Sequence, residues 1–459
     1  MLAGTHSGVG KTTLTMGILQ ALSRSMKVQS FKVGPDYIDP AFHSFITGNP
    51  CRNLDSWMLD EKTLRYLFME SGQLADFCLV EGVMGLYDGK GSKGDLASTA
   101  HLARILNLPV VLVIDGGGMS ASAAAMVLGY KNYDPRVNLC GVIANNIGGE
   151  KHYQLIKEAV ERDTGTKMVG YLPRADSLVL PSRHLGLVPS CETKGLREIL
   201  EKLGDMVRRT IDLESLTALA KSYSPGFAQT SISLPEGKEN VTLAVAKDRA
   251  FNFYYQDGLD LLEKMGARLS FFSPLEDASL PDGIDGMLLG GGFPEVFASE
   301  LEDNLSLRTE IGAKIDDGLP VYGECGGLMY LSQGIVNEEG SLKKMVGAFQ
   351  GKVRLTKRLQ RFGYVDVELQ SDNVLGMKGT SYRAHEFHYS VLEDGTENDF
   401  SLLVRKGKNG DASASWECGI KKKQMLASYP HLHFYSNVAL ADHFLGQCRG
   451  YKQRRIMKK

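Results

Sequence analysis

The sequence predicts an α/β protein of two domains, and three observations indicate this fold class. Its 459 residues exceed the ~150 residues of one ordinary domain. Apolar runs alternate with amphipathic stretches in both halves, and several runs are continuous, which is typical of buried parallel strands. A stretch rich in Ser, Pro and Gly separates the halves. We therefore predict a parallel-sheet domain over 1–221, a linker over 222–240 and a second α/β domain over 241–459.

Both halves contain apolar runs of strand length with helical segments between them. Leu14, Ile18 and Leu22 recur every four residues, which predicts one face of a helix. A second helix is expected over Phe253–Met265, and a loop is expected over Leu180–Pro189. The predicted strands are Val28–Val33, Phe77–Val80, Val110–Ile114, Leu139–Ala144, Val241–Ala246, Arg268–Phe272, Gly286–Leu289 and Pro320–Tyr322.

Composition excludes several classes of function. With 52 basic and 54 acidic residues and a net charge of -2, the chain has no overall positive field for binding nucleic acid. No apolar run reaches the ~20 residues that a membrane span requires, and no secretion signal opens the chain. Seven cysteines without CxxC pairs suit a reducing compartment, so we expect a cytoplasmic protein without disulfides or a zinc site.

The segment GTHSGVGKTT near the N-terminus ends like a phosphate-binding P-loop and runs directly into the first predicted helix. Gly8 and Gly10 allow backbone N–H groups to converge on phosphate oxygens, and the helix N-terminus adds a favourable dipole. Lys11 is expected to reach the β- and γ-phosphates of ATP. The Thr12 hydroxyl is expected to bind Mg²⁺, and Thr13 completes the nucleotide-binding segment.

This loop departs from the strict P-loop pattern. Thr5 stands where glycine is required, and Gly4 lies one residue earlier than the pattern places it. The variant resembles the loop of dethiobiotin synthetase and its relatives. Only three residues precede Gly4, so the strand that leads into the loop is expected to be short. We hypothesise that the chain begins several residues downstream of the full-length start.

Carboxylates follow two of the predicted strands at the edge where ligands bind to parallel sheets. Asp36 and Asp39 come after one strand, and Glu81 ends another. Phosphoryl transfer requires charge neutralisation, so we expect Asp36 and Glu81 to hold Mg²⁺ with Thr12 and both aspartates to take part in catalysis. For Asp36 and Asp39, capping of turns beside the neighbouring prolines is an equal alternative.

Polar residues also follow two later strands. Asp115 has the same placement as Glu81, but helix capping near Ser120 explains it almost as well. Asn145 and Asn146 can donate and accept hydrogen bonds at an adenine edge, and a role in the loop turn is the alternative. Of these residues we place Asn145 at the nucleotide.

The second half contains a nucleophile elbow. In the segment PVYGECGGLMY, Cys325 occupies a sharp turn between a strand and a helix, flanked by glycines that permit a strained backbone. The helix N-terminus favours the thiolate. An inert buried cysteine is the alternative, but the small neighbours leave little to bury the thiol.

An oxyanion hole and a general base can be assigned to the same half. Three glycines end the strand before the segment FPE, and we expect backbone N–H groups of Gly292 and Gly326 to stabilise a tetrahedral intermediate. The base is expected from the segment YPHLHF, which contains His431 and His433. Strand alternation would direct these two side chains the same way.

Together these motifs resemble the family of cobyrinate a,c-diamide synthases and the relatives that amidate sirohydrochlorin. The resemblance covers nearly the whole chain and implies a dethiobiotin-synthetase-like ATP domain joined to a class I glutaminase domain. It implies that ATP phosphorylates acetate side chains of a tetrapyrrole and that ammonia from L-glutamine attacks the acyl phosphates at positions a and c. The motifs are GTHSGVGKTT, KVGPDYIDPAFH, EGVMGLYDG, LPSRHLGLVP, GGGFPE, YGECGGLMYL, AHEFHYS and YPHLHF.

The resemblance also implies roles for individual residues. Lys11, Thr12 and Glu81 would handle ATP and Mg²⁺, and Asp36 and Asp39 would support activation of the carboxylate.

In the second half the resemblance makes Cys325 the nucleophile and His431 its base. Related glutaminases often carry glutamate two positions after this histidine, but His433 occupies that position here, which leaves the third member of the triad open. Pro430 and Ala384 replace the usual leucine and glycine.

Several alternatives stay open. Nickel-sirohydrochlorin is the second candidate substrate, and a P-loop scaffold ATPase with an inactive glutaminase domain is the candidate from another class. A homodimer is also left open. His385 and His388 do not have the spacing of a helical zinc motif, so we expect burial of AHEFHYS or contact with the tetrapyrrole rim, and no metal.

Overall fold

The computed structural model describes residues 1–91, 95–174, 182–183, 186–187, 195–221, 223–226, 231–235, 241–395, 397–408 and 411–457. The chain divides into two compact units, Met1–Ile232 and Ser233–Lys459. Both units are α/β, as the sequence predicts. The segment expected as a linker, 222–240, contains the boundary between the units and lies partly outside the described residues.

The first unit is built on a parallel sheet. Its strands are β1 (Leu2–Gly4), β2 (Val28–Val33), β3 (Arg52–Leu54), β4 (Phe77–Glu81), β5 (Val110–Asp115), β6 (Leu139–Ile147), β7 (Lys167–Pro173), β8 (Ser182–Arg183) and β9 (Gly186–Leu187). Its helices are α1 (Lys11–Leu22), α2 (Ile38–Thr47), α3 (Glu61–Gly72), α4 (Thr99–Ile105), α5 (Ser122–Tyr133), α6 (Glu150–Thr164), α7 (Leu196–Thr210) and α8 (Leu213–Lys221). Among the described residues the main sheet has the order β3-β2-β4-β1-β5-β6-β7, with every neighbouring pair parallel.

The apolar pattern explains this unit. All four runs predicted as strands in the first half are strands, and all six residues of β2 are buried. The predicted helix face of Leu14, Ile18 and Leu22 is buried in α1. Strand β1 has only three residues, but it lies between β4 and β5 in the middle of the sheet. The loop expected over Leu180–Pro189 contains β8 and β9, and its other residues lie outside the described part of the chain.

The second unit combines parallel and antiparallel strands. Its strands are β10 (Val241–Ala246), β11 (Phe251–Phe253), β12 (Ala267–Phe272), β13 (Gly286–Leu289), β14 (Gly291–Gly292), β15 (Val321–Glu324), β16 (Gly334–Val336), β17 (Leu342–Lys344), β18 (Lys352–Leu355), β19 (Arg361–Leu369), β20 (Ser381–His388), β21 (Ser390–Glu393), β22 (Asp399–Lys408), β23 (Asp411–Lys422), β24 (Met425–Ser428) and β25 (His431–Leu432). Its helices are α9 (Gln256–Lys264), α10 (Ala298–Asp303), α11 (Leu305–Asp316), α12 (Gly326–Leu331) and α13 (Val438–Met457), and a 3₁₀ helix covers Phe434–Ser436.

Within the residues described for this unit, the large sheet has the order β12-β10-β13-β15-β24-β23-β22-β19-β20-β25. The strands from β12 to β24 are parallel, and the remaining pairs are antiparallel. The prediction of a helix over Phe253–Met265 needs a correction, because the helix begins at Gln256. Phe253 belongs to β11, which pairs with β14. No helix in the described part of either unit is long and apolar enough to cross a membrane.

Two candidate active sites

The P-loop of the first unit connects β1 to α1. Gly8 and Gly10 have φ angles of 82° and 97°, a left-handed conformation that glycine adopts at low cost. Lys11 begins α1, and its Nζ donates hydrogen bonds to the carbonyl oxygens of Met84, at 2.5 Å, and His6, at 3.3 Å. Burial lowers the pKa of this lysine, and Lys32 lowers it further. The ammonium group of Lys11 therefore contacts the backbone of its own loop, at His6, and the backbone that follows β4, at Met84.

Asn145, which we predicted at the nucleotide, contacts the backbone of the P-loop. Its Nδ2 donates a 2.8 Å hydrogen bond to the carbonyl oxygen of Val9. A Cβ atom on Gly10 would lie 2.2 Å from that Nδ2, so glycine is required at this contact. This geometry matches the loop role that we weighed for Asn145, and its contact with adenine stays a prediction. Asn146 is exposed and donates to Asp115, whose carboxylate also accepts from Gly117 in the adjoining turn.

The predicted carboxylates meet the P-loop threonine around a buried lysine. The Thr12 hydroxyl donates to Glu81 Oε1 at 2.7 Å and to Asp39 Oδ2 at 3.2 Å. Lys32 Nζ lies 2.7 Å from the same Glu81 oxygen and 2.5 Å from the same Asp39 oxygen. Burial lowers the pKa of Lys32, but the two carboxylates outweigh burial and raise it well above its ordinary value. Lys32 is therefore a cation at the centre of the site. It is the first residue of the motif KVGPDYIDPAFH, but we assigned it no role from the sequence.

The two buried carboxylates differ in protonation. Burial and the charge of Asp36 raise the pKa of Asp39 to about 7, although Lys32 opposes this shift. Burial also raises the pKa of Glu81, but Lys32 and His43 outweigh burial and hold it below its ordinary value. His43 Nε2 lies 2.8 Å from Glu81 Oε2, and both side chains are fully buried. His43 is thus a second site residue that we did not predict from the sequence.

Asp36 occupies a different position from Asp39. Its Oδ1 accepts hydrogen bonds from the backbone N–H groups of Ile38 and Asp39 at the start of α2, and its Oδ2 lies 3.8 Å from Lys32 Nζ. This is the turn-capping geometry that we weighed as the alternative for both aspartates. The structure gives that geometry to Asp36, whereas Asp39 is joined to Thr12 and Lys32.

The nucleophile elbow of the second unit has the expected form. Cys325 lies between β15 and α12 with φ of 47° and ψ of -97°, a strained conformation for a residue with a side chain. Its backbone N–H donates to Ser428 O at 2.7 Å. Its side chain is buried, which corrects the expectation that the small neighbours would leave the thiol exposed. The residue thus stands at the N-terminus of a helix, where a thiolate is favoured.

The two predicted oxyanion residues lie side by side. A Cβ atom on Gly326 would be 3.1 Å from the backbone nitrogen of Gly292, so a side chain at this position would require the neighbouring segment to shift slightly. Gly292 itself has φ of 155°. His431 packs against the same segment, because a Cβ atom on Gly291 would lie 2.7 Å from its Cε1. The sequence-predicted groups of the second unit therefore converge at one place.

Glu324, the residue before the nucleophile, completes this group. Its Oε1 accepts a 3.0 Å hydrogen bond from the backbone N–H of Leu432, and its Oε2 lies 3.6 Å from His431 Nδ1. Burial lowers the pKa of His431, but the adjacent Cys325 and Glu324 raise it to about 10. The imidazole therefore favours its protonated form between the sulfur of Cys325 and the carboxylate of Glu324. The position of Glu324 beside Cys325 in the sequence was the signal that we did not use.

His433 lies in a different environment from His431, which corrects the expected alternation. Strand β25 ends at Leu432, so the period of two does not continue to His433. The imidazole of His433 stacks on Tyr255 with 4.8 Å between ring centroids, and its Nδ1 accepts from the backbone N–H of Tyr435. Burial lowers its pKa to about 3. His433 is thus a neutral core residue that caps the 3₁₀ helix.

Most of the segment AHEFHYS is buried. Ala384–His388 ends strand β20, Ser390 begins β21, and Phe387 and Tyr389 are half-buried. His385 pairs across the sheet with His431, and burial, followed by the charge of His431, lowers its pKa to about 3. Glu386 and His388 are also buried, with 3.0 Å between Glu386 Oε1 and His388 Nε2. Burial is one of the two outcomes that we expected for this segment. In the described ranges, no three His, Cys, Asp or Glu side chains are arranged to hold a metal ion.

Two domain families match the two units. Residues 1–188 match the CobQ/CobB/MinD/ParA nucleotide binding domain, and residues 242–439 match the CobB/CobQ-like glutamine amidotransferase domain. The P-loop and the carboxylate group lie in the first match, and the cysteine, histidine and glycine segments lie in the second. Each match therefore contains one of the two sites described above.

Two relatives that align with nearly the whole chain carry the same name. A cobyrinate a,c-diamide synthase of Caldanaerobacter subterraneus subsp. tengcongensis is 47% identical over 456 residues, which cover 99% of each chain. A protein of the same name from Streptococcus sanguinis is 46% identical over 97% of this chain and 98% of its own. Among solved structures, a glutamine amidotransferase from Thermotoga maritima is 12% identical and covers 48% of this chain and 86% of its own, with a TM-score of 0.31.

Proposed function

The chain belongs to the family of cobyrinate a,c-diamide synthases, and from this membership we propose that it amidates the a and c acetate carboxylates of cobyrinate. The enzyme is an ATP-dependent ligase that takes its nitrogen from glutamine. The observation that carries the proposal is the identity of 47% across nearly all of both chains, which includes both sites. Nickel-sirohydrochlorin carries the same kind of acetate arms and is the substrate to test beside cobyrinate.

In the first unit the proposed chemistry is phosphorylation of an acetate arm. A carboxylate is a poor acyl donor until one of its oxygens becomes part of a phosphate leaving group. A carboxylate oxygen of the arm attacks the γ-phosphorus of ATP, and the bond from that phosphorus to the β,γ-bridging oxygen breaks. Lys11 and Lys32 are the cations placed to balance the transferred charge. Glu81 is held by Thr12, Lys32 and His43, which fixes its orientation before substrate binds.

The residues of this site also fit Mg²⁺. Magnesium prefers oxygen ligands and is commonly held by one or two protein groups together with phosphate oxygens. The Thr12 hydroxyl lies within hydrogen-bond distance of both Asp39 Oδ2 and Glu81 Oε1. Thr12 and Glu81 are the residues that we propose for the ion, because the carboxylate of Asp36 instead caps the start of α2. When bound, Mg²⁺ would neutralise charge on the phosphates of ATP.

In the second unit the proposed chemistry releases ammonia. Cys325 Sγ attacks the amide carbon of glutamine, and the N–H groups of Gly292 and Gly326 stabilise the oxyanion. His431 gives its proton to the leaving nitrogen as the carbon–nitrogen bond breaks. Water then hydrolyses the thioester to glutamate, with His431 as the base. We propose that Glu324 holds His431 in position, in place of a carboxylate two residues after the histidine.

The test is a coupled assay with purified protein. We expect one ADP and one glutamate for each amide formed on cobyrinate, with both macrocycles offered in parallel. Cys325→Ala should lose glutamine-dependent amidation but keep amidation with ammonium, and Lys11→Ala should keep glutaminase activity alone. Amidation of nickel-sirohydrochlorin but not of cobyrinate would replace the proposed substrate. Absence of activity with either macrocycle and of glutamine hydrolysis would favour the scaffold ATPase.

A further inference from the structure

The loop that joins β4 to α4 in the first unit contains a residue in a strained backbone conformation. Met84 has φ of 47°, in the left-handed region that disfavours residues with a Cβ atom. Its side chain is 41% exposed, so packing in the core does not hold it there. Met84 lies three residues after Glu81, the carboxylate proposed for Mg²⁺. A strained residue at such a position persists only when its surroundings fix its backbone.

The residues on both sides of Met84 are anchored by contacts of their own. The Thr99 hydroxyl accepts from the N–H of Val83 and donates to its carbonyl oxygen, both at 2.9 Å. The N–H of Gly85 donates to Asp88 Oδ2, also at 2.9 Å. We call the segment 83–85 the Met84 turn. Because both ends of this turn are fixed, a change of conformation would be confined to Met84 and the two peptide planes that adjoin it.

The P-loop lysine holds the carbonyl oxygen of Met84, with 2.5 Å between that oxygen and Lys11 Nζ. Another N–H of the same ammonium group donates to His6 O at 3.3 Å. An ammonium group has only three N–H donors. In a P-loop the lysine reaches the β- and γ-phosphates of ATP, and charged phosphate oxygens are stronger acceptors than a carbonyl oxygen. Two donors on phosphates leave one for the backbone. His6 lies in the same loop as Lys11, so Met84 is the acceptor that ATP would displace.

We propose that Lys11 and Met84 form a latch: the lysine holds the Met84 turn in its left-handed conformation, and the phosphates of ATP release the turn by taking the lysine. Release relieves the strain at Met84, and this relief adds to the affinity for ATP. AMP lacks the β- and γ-phosphates, so it leaves the lysine on Met84 and gains nothing from the turn. The inference rests on the proposed ATP site and adds a residue that favours the triphosphate.

The test compares Met84→Gly with Met84→Ala by calorimetric titration of the purified protein with ATP and Mg²⁺. Both variants lose the thioether side chain, so the difference between them is confined to the backbone. Glycine adopts the left-handed conformation at low cost, whereas alanine keeps the strain. Met84→Gly should therefore bind ATP ~5- to 30-fold more weakly than Met84→Ala, and it should unfold at a higher temperature without nucleotide. The two variants should bind AMP within about twofold of each other.

Lys423, between β23 and β24 in the second unit, supplies the matched control, because it has φ of 52° and belongs to neither candidate site. Lys423→Gly should unfold at a higher temperature than Lys423→Ala, and the two should bind ATP equally. Equal ATP affinity of the two Met84 variants would overturn the inference alone. The same difference with AMP, or in the Lys423 pair, would also overturn it. Wild-type protein that binds no ATP would overturn the proposed function of the first unit, and the inference with it.

Discussion

Replacement of Glu324 by glutamine tests the proposed arrangement of the glutaminase site most directly. The substitution keeps the size of the side chain and removes its negative charge. Glu324 Oε2 lies 3.6 Å from His431 Nδ1, and both residues are buried. The hydrogen bond from Leu432 N–H to the retained Oε1 can persist in the variant, so the backbone beside His431 should stay in place. The change therefore isolates the charge.

The structure sets the size of the effect. Two unit charges 3.6 Å apart attract by ~4.6 kcal/mol at an effective dielectric constant of ~20. Part of this attraction opposes the cost of burying both groups, and Cys325 also raises the pKa of the imidazole, so we expect a net loss of ~1.4 to 2.7 kcal/mol. This corresponds to a decrease of ~10- to 100-fold in kcat/KM for glutamine hydrolysis.

The assay is glutamine hydrolysis as a function of pH. The pKa of His431 is raised to about 10 by Cys325 and Glu324 against the effect of burial, so it should fall in the variant and move the alkaline limb of the profile to lower pH. Glu300→Gln, which removes an exposed carboxylate paired with Arg249, is the control and should match the wild type. A Glu324→Gln enzyme within twofold of wild type, with the same alkaline limb, would refute the positioning role.

Three further substitutions address the remaining parts of the two sites. Lys32→Met leaves Asp39 and Glu81 without their shared cation. ATP-dependent amidation should therefore fall by more than ~100-fold in a product assay, while glutaminase activity persists. Equal losses of both activities would contradict the role of Lys32 in the first unit. Gly326→Ala places a Cβ atom 3.0 Å from Pro294 Cδ and 3.1 Å from Gly292 N, so glutamine hydrolysis should fall ~10-fold or more, and an unchanged rate would argue against the oxyanion hole. His43→Gln should lower the free energy of unfolding by ~1–3 kcal/mol in denaturant titrations. Burial lowers the pKa of His43, but Cys51 and Glu81 raise it to about 10. The difference in unfolding free energy between wild type and variant should therefore be complete below pH ~6.5 and shrink as the pH rises through about 10. A difference that does not change with pH would exclude the ionised pair of His43 and Glu81.

The sequence predicted the parts of the fold whose pattern is local. The strands predicted over Val28–Val33 and Val241–Ala246 have these same bounds in the structure. The start of α9 was missed because Phe253, apolar in either setting, pairs with Gly291 from a segment nearly forty residues away. Pairing of this kind leaves no periodic signal in the segment itself.

The parts of the two candidate sites that depend on local geometry could be predicted, and the parts that depend on contacts across the fold were missed. The P-loop and the cysteine elbow each lie in one short segment, so their geometry follows from local sequence. Lys32 and His43 are the two ends of the motif KVGPDYIDPAFH, but they lie on β2 and α2, and only the fold shows that both reach Glu81. Asp36 and Asp39 share one motif, yet only tertiary contacts separate the capping residue from the one beside Thr12.

Three adjacent strands in the middle of the large sheet, β13, β15 and β24, lead to the glycine loop, the cysteine and the histidine. Each has a hydrogen-bonded neighbour on both sides, so fraying from the sheet edges reaches them last. In amide hydrogen exchange, these strands should be among the slowest of the unit to incorporate deuterium. Glutamine hydrolysis should then persist in mild denaturant until the unit unfolds as a whole.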